Sequence, residues 1–342
     1  MNRCSDYESA LSGKRVLVTG GTGFIGSHLI SRLLRGGCQV FALLRPNCNP
    51  WRIFGLVDQL KVLWYELGNG DIRGLEKTIG SLDIVYHMAA SGVNQAFDDS
   101  AEMVRTNVMG TLEMLELGLR LRIERFVYSG SCFEYGGGSL VKEDQIPTPV
   151  SEYGATKNAG WILAQTYARR HGLPVVSLRP FNVFGPLEAP HRLIPHTILN
   201  SLKHREIELS PGDQSRDFVY VDDVIDSFVV AASSSQTGGN VFNICTGVET
   251  EVRTVVEMIF TILGGAHRAC FGSLPYRRNE VGILSGNPEK AREGLGWQSA
   301  TSLRDGLAKT VRWFLQNGHE YAIYALGTIG HGRQTQSAAT DS

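Results

Sequence analysis

The 342-residue chain has no long apolar run. Nowhere do about 18 uninterrupted apolar residues occur, so no helix that spans a bilayer is expected. It also lacks an excess of either charge. Lysine and arginine number 33 against 34 acidic residues, a net charge of −1, which leaves no basic footprint for nucleic acid or an anionic membrane surface. The cysteines, Cys4, Cys38, Cys48, Cys132, Cys245 and Cys270, form no C-x-x-C pair and no metal-ligand spacing. Neither a disulfide framework nor a metal site is therefore expected, and the thiols are read as reduced. The opening MNRCSDYESALS is too polar for a signal peptide, and the expectation is a cytoplasmic protein.

What is there is the composition of a soluble globular protein, 42% hydrophobic and 20% charged, long enough for about two domains. From Lys14 to Arg179, short β-branched or apolar runs alternate with helical patterns. The runs are RVLVT (15–19), QVFALL (39–44), KVLWYE (61–66), DIVYHM (83–88), RFVYS (125–129) and PVVSLR (174–179). Continuous apolar strands alternating with helices predict a Rossmann-type, doubly wound α/β fold with a parallel sheet covered on both faces. After Pro180 the alternation breaks, and DFVYVDD (217–223) and NVFNI (240–244) resume strand-like patterns. The predicted division is a dinucleotide-binding domain over 1–181, returning at about 218–246, and a smaller interleaved substrate domain over 182–217 and 247–326. The first dozen residues and the tail 327–342, rich in Gly, Ser, Thr and Gln, are expected to be disordered. Segments 101–121 and 153–170 carry apolar residues on more than one helical face, the second face including Met109, Met114 and Leu117. A homodimer through these helices is the prediction.

RVLVTGGTGFIGSHL reads strand, glycine turn, helix, with Gly20, Gly23 and Gly26, followed at the turn by Phe24 and Ile25, in a close variant of the dinucleotide fingerprint. Glycines let a pyrophosphate approach the backbone, and the helix N-terminus supplies free N–H groups. Where NAD enzymes carry a carboxylate at the end of the second strand, this chain has Leu44-Arg45. A guanidinium there can pair with a 2′-phosphate, which favours NADP(H), with NAD(H) as the alternative. In SEYGATK (151–157), Tyr153 and Lys157 lie one helical turn apart on the same face. A nearby ammonium, together with the positive nicotinamide ring of an oxidised cofactor, is expected to bring the phenol down toward its working range.

Taken in order, TGGTGFIG (19–26), GDI (70–72), HMAA (87–90), Asn107 in RTNVMGT, YSGSCFEYG (128–136), YGATK (153–157), RPFNVFGP (179–186), RDFVYVDD (216–223) and FNICTG (242–247) make the chain resemble the extended short-chain dehydrogenase/reductase family. Its nucleotide-sugar epimerases, dehydratases and ketoreductases are the closest in pattern, over about residues 13 to 315. The resemblance implies Ser131, Tyr153 and Lys157 as the catalytic group, with Ser129 a lesser candidate for the serine. It further implies cofactor contacts at Asp71, Ile72, Ala89, Ala90, Asn107 and Tyr153, with Lys157 also holding the nicotinamide ribose, and a nucleotide-diphosphate sugar as substrate, held by Ser131, Asn182, Arg216 and Arg277 or Arg278. Dehydratases of the family follow the catalytic residue with an acid–base pair, whereas Cys132-Phe133 stand here and can do no such work. Glu134 comes one residue too late and should point elsewhere in an extended segment. Cys132 reads as a packing residue and His191 and His196 as surface or capping histidines. What remains is NADPH-dependent reduction of an NDP-4-keto-6-deoxysugar at C4, favoured through Arg45, with an NAD-dependent nucleotide-sugar 4-epimerase as the alternative. A small-ketone reductase would not need Arg216. A non-catalytic dinucleotide sensor would not need Ser131, Tyr153 and Lys157 together.

Overall fold

The computed structural model describes residues 10–93, 99–234, 238–277 and 279–326. The tail 327–342, residues 1–9 and Arg278 lie outside the described residues. In the first half β1 (Arg15–Thr19), α1 (Phe24–Arg35), β2 (Gln39–Leu44), a 3₁₀ helix (Trp51–Gln59) and β3 (Lys61–Trp64) follow one another. Next come α2 (Ile72–Ile79), β4 (Ile84–His87), α3 (Gly110–Leu121), β5 (Arg125–Ser129), β6 (Gly138–Val141), α4 (Glu152–His171), β7 (Val175–Pro180) and β8 (Asn182–Phe184). The chain continues through α5 (Leu193–Leu202), β9 (Ile207–Leu209), β10 (Ser215–Tyr220), α6 (Val221–Ser233), β11 (Asn240–Ile244) and β12 (Glu249–Glu251). It closes with α7 (Val252–Leu263), β13 (Ala269–Phe271), β14 (Ile283–Gly286), α8 (Glu289–Gly294) and α9 (Leu303–Leu326).

A seven-stranded parallel sheet in the order β11-β7-β5-β4-β1-β2-β3 forms the centre, a Rossmann-type α/β fold. Alternation along β1 sends Val16 and Val18 into one core and Leu17 into the other, one on each face of the sheet. The strand order reverses between β1 and β4, which opens a crevice at their carboxyl ends, where ligands bind in such sheets. A second sheet, β12-β10-β14-β6 with β8 on β10, stands beside it. Its strand β6 comes from the first half of the chain, and β11 returns from the second half to pair with β7.

Three local expectations differ from the structure. DFVYVDD is strand only as far as Tyr220; helix α6 starts at Val221 with Asp222 and Asp223 in its first turn, where carboxylates suit the helix dipole. Segment 101–121 is not one α-helix but an α-turn (Ser100–Met103), a π-turn (Val104–Met109) and α3. Of the second apolar face expected there, Met109 is 45% exposed, whereas Met114 and Leu117 are fully buried. At the start of the described chain Leu11 is buried in the core rather than disordered.

Candidate active site

At the carboxyl end of β1 the chain makes a turn that only glycine permits. Gly20 has φ +69°, and a Cβ there would lie 2.6 Å from the backbone nitrogen of Ala89; one at Gly26 would lie 2.3 Å from the carbonyl oxygen of Gly20. The N-cap of α1, Gly23, supplies no side chain, so the first N–H groups of the helix face an open cradle. Phe24 and Ile25 begin α1, both half-buried. These features fit a bound dinucleotide pyrophosphate. Ala89 and Ala90 follow β4 beside the turn, and the Ala89 N–H donates to Thr19 Oγ1 at 3.1 Å.

Arg45 stands just past β2, its side chain 66% exposed, and Nη1 lies 4.0 Å from Glu102 Oε1. Thus a carboxylate does face this corner, carried by the α-turn after β4 rather than by β2. Asp71 is the N-cap of α2, accepting from the Arg73 N–H at 3.0 Å, with Ile72 the first residue of that helix. Asn107 is fully buried and its amide is taken up by protein groups: Oδ1 accepts from the Ser91 N–H at 2.8 Å, and Nδ2 donates to Thr156 Oγ1 at 2.9 Å and Ser91 O at 3.0 Å. It braces the loop after β4 against α4.

Ser131 follows β5 and caps a 3₁₀ turn, Cys132–Glu134, not the extended segment expected. Helix α4 starts at an N-cap, Ser151, whose hydroxyl accepts from the Gly154 N–H at 3.2 Å. That start carries Tyr153 toward Ser131, whose hydroxyl favours the phenolate. Burial pushes the phenol up to about 12, against the lowering pulls of Ser131 and the Arg192 charge. The expected lowering counts the charge of an oxidised nicotinamide as well as Lys157; in the chain alone, desolvation of the phenolate outweighs the lowering pulls. Lys157, 2% exposed, is drawn down to about 8 by burial. Ser129, also buried, ends β5.

Glu134 does point elsewhere, for a different reason. Its carboxylate is fully buried, pairs with Arg179 at 2.7 Å and accepts the Ser131 N–H at 2.8 Å. Cys132 is 1% exposed and its thiol is pushed up to about 12 by burial, so it keeps its proton. Neither supplies an acid–base pair for elimination.

Arg216 on β10 is closed onto Glu280, and its Nη1 also donates to Ser215 O at 2.8 Å. Asn182 begins β8 with its Nδ2 buried and, among the described residues, without a hydrogen-bond partner. Arg277 is exposed, and its charge acts on Arg216 and His191. His196 is held by α5, which it shares with Asn200.

Sequence reading missed Arg192, Glu188, Arg52 and Glu280. Arg192 caps α5, ion-pairs with the buried Glu188 at 3.6 Å, and bears on both Tyr153 and Cys132. Arg52 donates to Leu187 O at 2.9 Å and Thr22 O at 3.2 Å, so it ties the glycine turn to the segment after β8. A charge buried among Pro and His after Asn182 was the only signal for the first two.

A glycine cradle at the crevice, with a serine, a tyrosine and a buried lysine beside it, is the layout of a dinucleotide-dependent hydride-transfer site. The chain belongs to the NAD dependent epimerase/dehydratase family, whose sequence model matches residues 16–245. A UDP-glucose 4-epimerase of Mycolicibacterium smegmatis is 32% identical over 318 residues, which cover 88% of this chain and 98% of that protein. A solved epimerase from Methanothermobacter thermautotrophicus superposes with a TM-score of 0.85 at 27% identity, over 94% of this chain and 98% of that one. A UDP-glucuronic acid 4-epimerase of Bacillus cereus, solved with UDP-glucuronic acid and NAD, gives 0.79 at 29% identity over 88% and 99%. Among the described residues no helix is long and apolar enough to cross a membrane, and no cluster of metal-ligating side chains occurs.

Proposed function

We propose that the protein is an NAD-dependent nucleotide-sugar 4-epimerase. The observation that carries this is the Tyr153 phenol brought to Ser131 beside the glycine cradle, with Cys132 and Phe133 where elimination would need an acid and a base. The preference for NADPH and ketoreduction read from Arg45 gives way, because Glu102 faces that arginine and would repel a 2′-phosphate. The relatives that act as 4-epimerases, one of them solved with NAD, support the same choice. The glycine turn with Gly20, Gly23 and Gly26 would hold the dinucleotide, and a bound nicotinamide would supply the hydride acceptor and donor for C4. Tyr153 takes the proton of the C4 hydroxyl and gives one back to the carbonyl oxygen once the keto sugar has presented its other face. Ser131 donates to that oxygen, and Lys157 keeps a positive charge near the phenol. Asn182, Arg216 and Arg277 hold the diphosphate, with Arg278 as a further arginine of that segment. A homodimer through 101–121 and 153–170 would cover Val104, Met109 and Ile162, which are 48%, 45% and 54% exposed.

The test is a panel of UDP-hexoses and UDP-hexuronates with the purified protein and NAD. Interconversion at C4 without net change in nicotinamide absorbance is expected. Stoichiometric NADPH consumption with an NDP-4-keto-6-deoxysugar would instead make it a reductase.

Two predictions follow from the clamp and the cofactor corner. Arg216→Ala should raise KM for the nucleotide sugar by about tenfold or more, the size of a lost charge-assisted contact, while Glu280→Gln, which frees Arg216, should lower it; steady-state kinetics on both variants would expose the opposite signs. Arg45→Ala should shift the NADPH-to-NADH affinity ratio by less than about fivefold, as for an exposed ion pair. A collapse of NADPH affinity, read by fluorescence titration, would restore the ketoreductase reading.

A further inference from the structure

His87, the last residue of β4, is fully buried between two threonines. Its Nδ1 lies 2.9 Å from Thr19 Oγ1 at the end of β1, and its Nε2 lies 3.0 Å from Thr111 Oγ1 on α3. Each contact needs one hydrogen, and the surroundings of the threonines decide which atom supplies it. Thr111 Oγ1 donates to the Asn107 carbonyl oxygen at 2.7 Å, and a carbonyl can only accept. The single hydroxyl hydrogen of Thr111 is thereby committed. At its contact with His87 the donor must then be the ring, so Nε2 carries a proton. Burial and the Lys157 charge lower the His87 pKa to about 3, so the ring is neutral and Nδ1 is bare. Nδ1 therefore accepts from the Thr19 hydroxyl, whose oxygen in turn accepts the Ala89 N–H at 3.1 Å. The whole chain of hydrogen bonds points one way, from the Ala89 N–H through Thr19, His87 and Thr111 to the Asn107 carbonyl.

Both ends of that chain lie at the glycine cradle. Ala89 stands against the turn so closely that a Cβ at Gly20 would lie 2.8 Å from the Met88 carbonyl carbon as well as 2.6 Å from the Ala89 nitrogen. Any outward shift of the loop after β4 would open the turn. At the other end Asn107 sits in the π-turn Val104–Met109, a conformation found mostly at functional sites. Its amide grips both backbone groups of Ser91 and the hydroxyl of Thr156, the neighbour of Lys157 on α4. The loop is thus held at Ala89 through Thr19 and at Ser91 through Asn107. His87 joins the two grips.

We propose that His87 is a positioning residue for the cofactor: as the Nε2–H tautomer it fixes the direction of a hydrogen-bond chain that sets the loop carrying Ala89 and Ala90 at its distance from the glycine turn. It rests on the reading of that turn as the dinucleotide site. The opposite tautomer would set the Nε2 lone pair against the Thr111 oxygen, whose hydrogen points to Asn107, and would leave the Thr19 hydroxyl hydrogen without the ring as its acceptor. Only one placement of the ring proton satisfies every group of the chain.

The test is the affinity for NADH, read by fluorescence titration, beside the melting temperature. His87→Phe keeps a ring but has no nitrogen, so the Thr19 hydroxyl loses its acceptor and its hold on Ala89 loosens. The Kd for NADH should rise about tenfold or more, the effect of a buried hydrogen bond left unmade. His87→Asn places a carboxamide oxygen where Nδ1 stood, and should hold the rise to about threefold or less. A lower melting temperature with unchanged Kd in His87→Phe, or equal losses of affinity in both variants, would overturn the proposal. Should His87→Phe fail to fold, the wild-type ring decides, its 15N signals assigned by their loss in His87→Asn. Nδ1 must resonate as an unprotonated imidazole nitrogen and Nε2 as a protonated one; the reverse pattern, or a ring protonated at both, would overturn it. If the wild type binds no NADH, the cofactor reading fails, and the ring nitrogens still decide the direction of the chain.

Discussion

Tyr153→Phe lowers turnover by about two to four orders of magnitude, the loss expected when a general acid–base is removed. The ring stays, including its edge contact with Phe133 at 6.2 Å between centroids, so folding should be unaffected. What goes is the phenol oxygen that Ser131 faces at the crevice. In the chain alone that phenol sits at about 12, too high to be a base at neutral pH. The charge of an oxidised nicotinamide is the further positive charge that the site needs, and Lys157 alone does not overcome burial. The sign is open to measurement. Cofactor binding should lower the phenol pKa, and activity should therefore rise with pH on the acidic limb until Lys157 begins to lose its proton. A loss of less than about tenfold in the variant, below the range for general acid–base catalysis, would remove Tyr153 from the chemistry.

Glu134→Ala destabilises the fold by about 3–5 kcal/mol, the cost of stranding a buried charge. Its partner Arg179 is 2% exposed and donates through Nε and Nη2 to the one carboxylate oxygen, at 3.0 and 2.7 Å. The remaining Nη1 reaches the Tyr135 hydroxyl at 2.8 Å, and that hydroxyl donates to Asn243 at 2.8 Å. Space around the pair is tight. A Cβ on Gly130 would sit 2.7 Å from Glu134 Oε1 and 3.0 Å from Arg179 Cγ. A fall in melting temperature of about 10 °C is expected. Because replacing both partners removes the stranded charge, Glu134→Leu with Arg179→Met should be less damaging than Glu134→Ala alone. Activity should fall as well, since the same carboxylate holds the Ser131 N–H. A single variant that melts within about 2 °C of wild type would contradict the burial argument.

The central sheet was legible because its strands are continuous apolar runs buried on both faces. RVLVT, QVFALL, RFVYS and NVFNI coincide residue for residue with β1, β2, β5 and β11. The second sheet was legible only in β10, where DFVYVDD marks Asp217–Tyr220. Its strands β8 and β12 are three residues long and β6 only four, and pairings such as Leu284 with Gly138 leave no local pattern to read. The same holds for the site. Ser131, Tyr153, Lys157 and the glycines announce themselves by spacing along one strand–turn–helix unit or one helical turn. Arg52 meets Leu187 across 135 residues and Arg216 meets Glu280 across 64, distances over which sequence pattern carries no geometry. Glu102 likewise reaches Arg45 from a different crossover, a pairing that the residues of β2 alone do not disclose.

The account rests on one hydride leaving and rejoining the same sugar carbon while Tyr153 handles the proton. The direct measurement uses a UDP-hexose carrying deuterium at C4, incubated with the protein and unlabelled NAD. Epimer that retains the deuterium at C4, and a Tyr153→Phe protein that forms almost none, is the predicted result. Epimer with protium at C4, or deuterium released to the medium or to free cofactor, would contradict it.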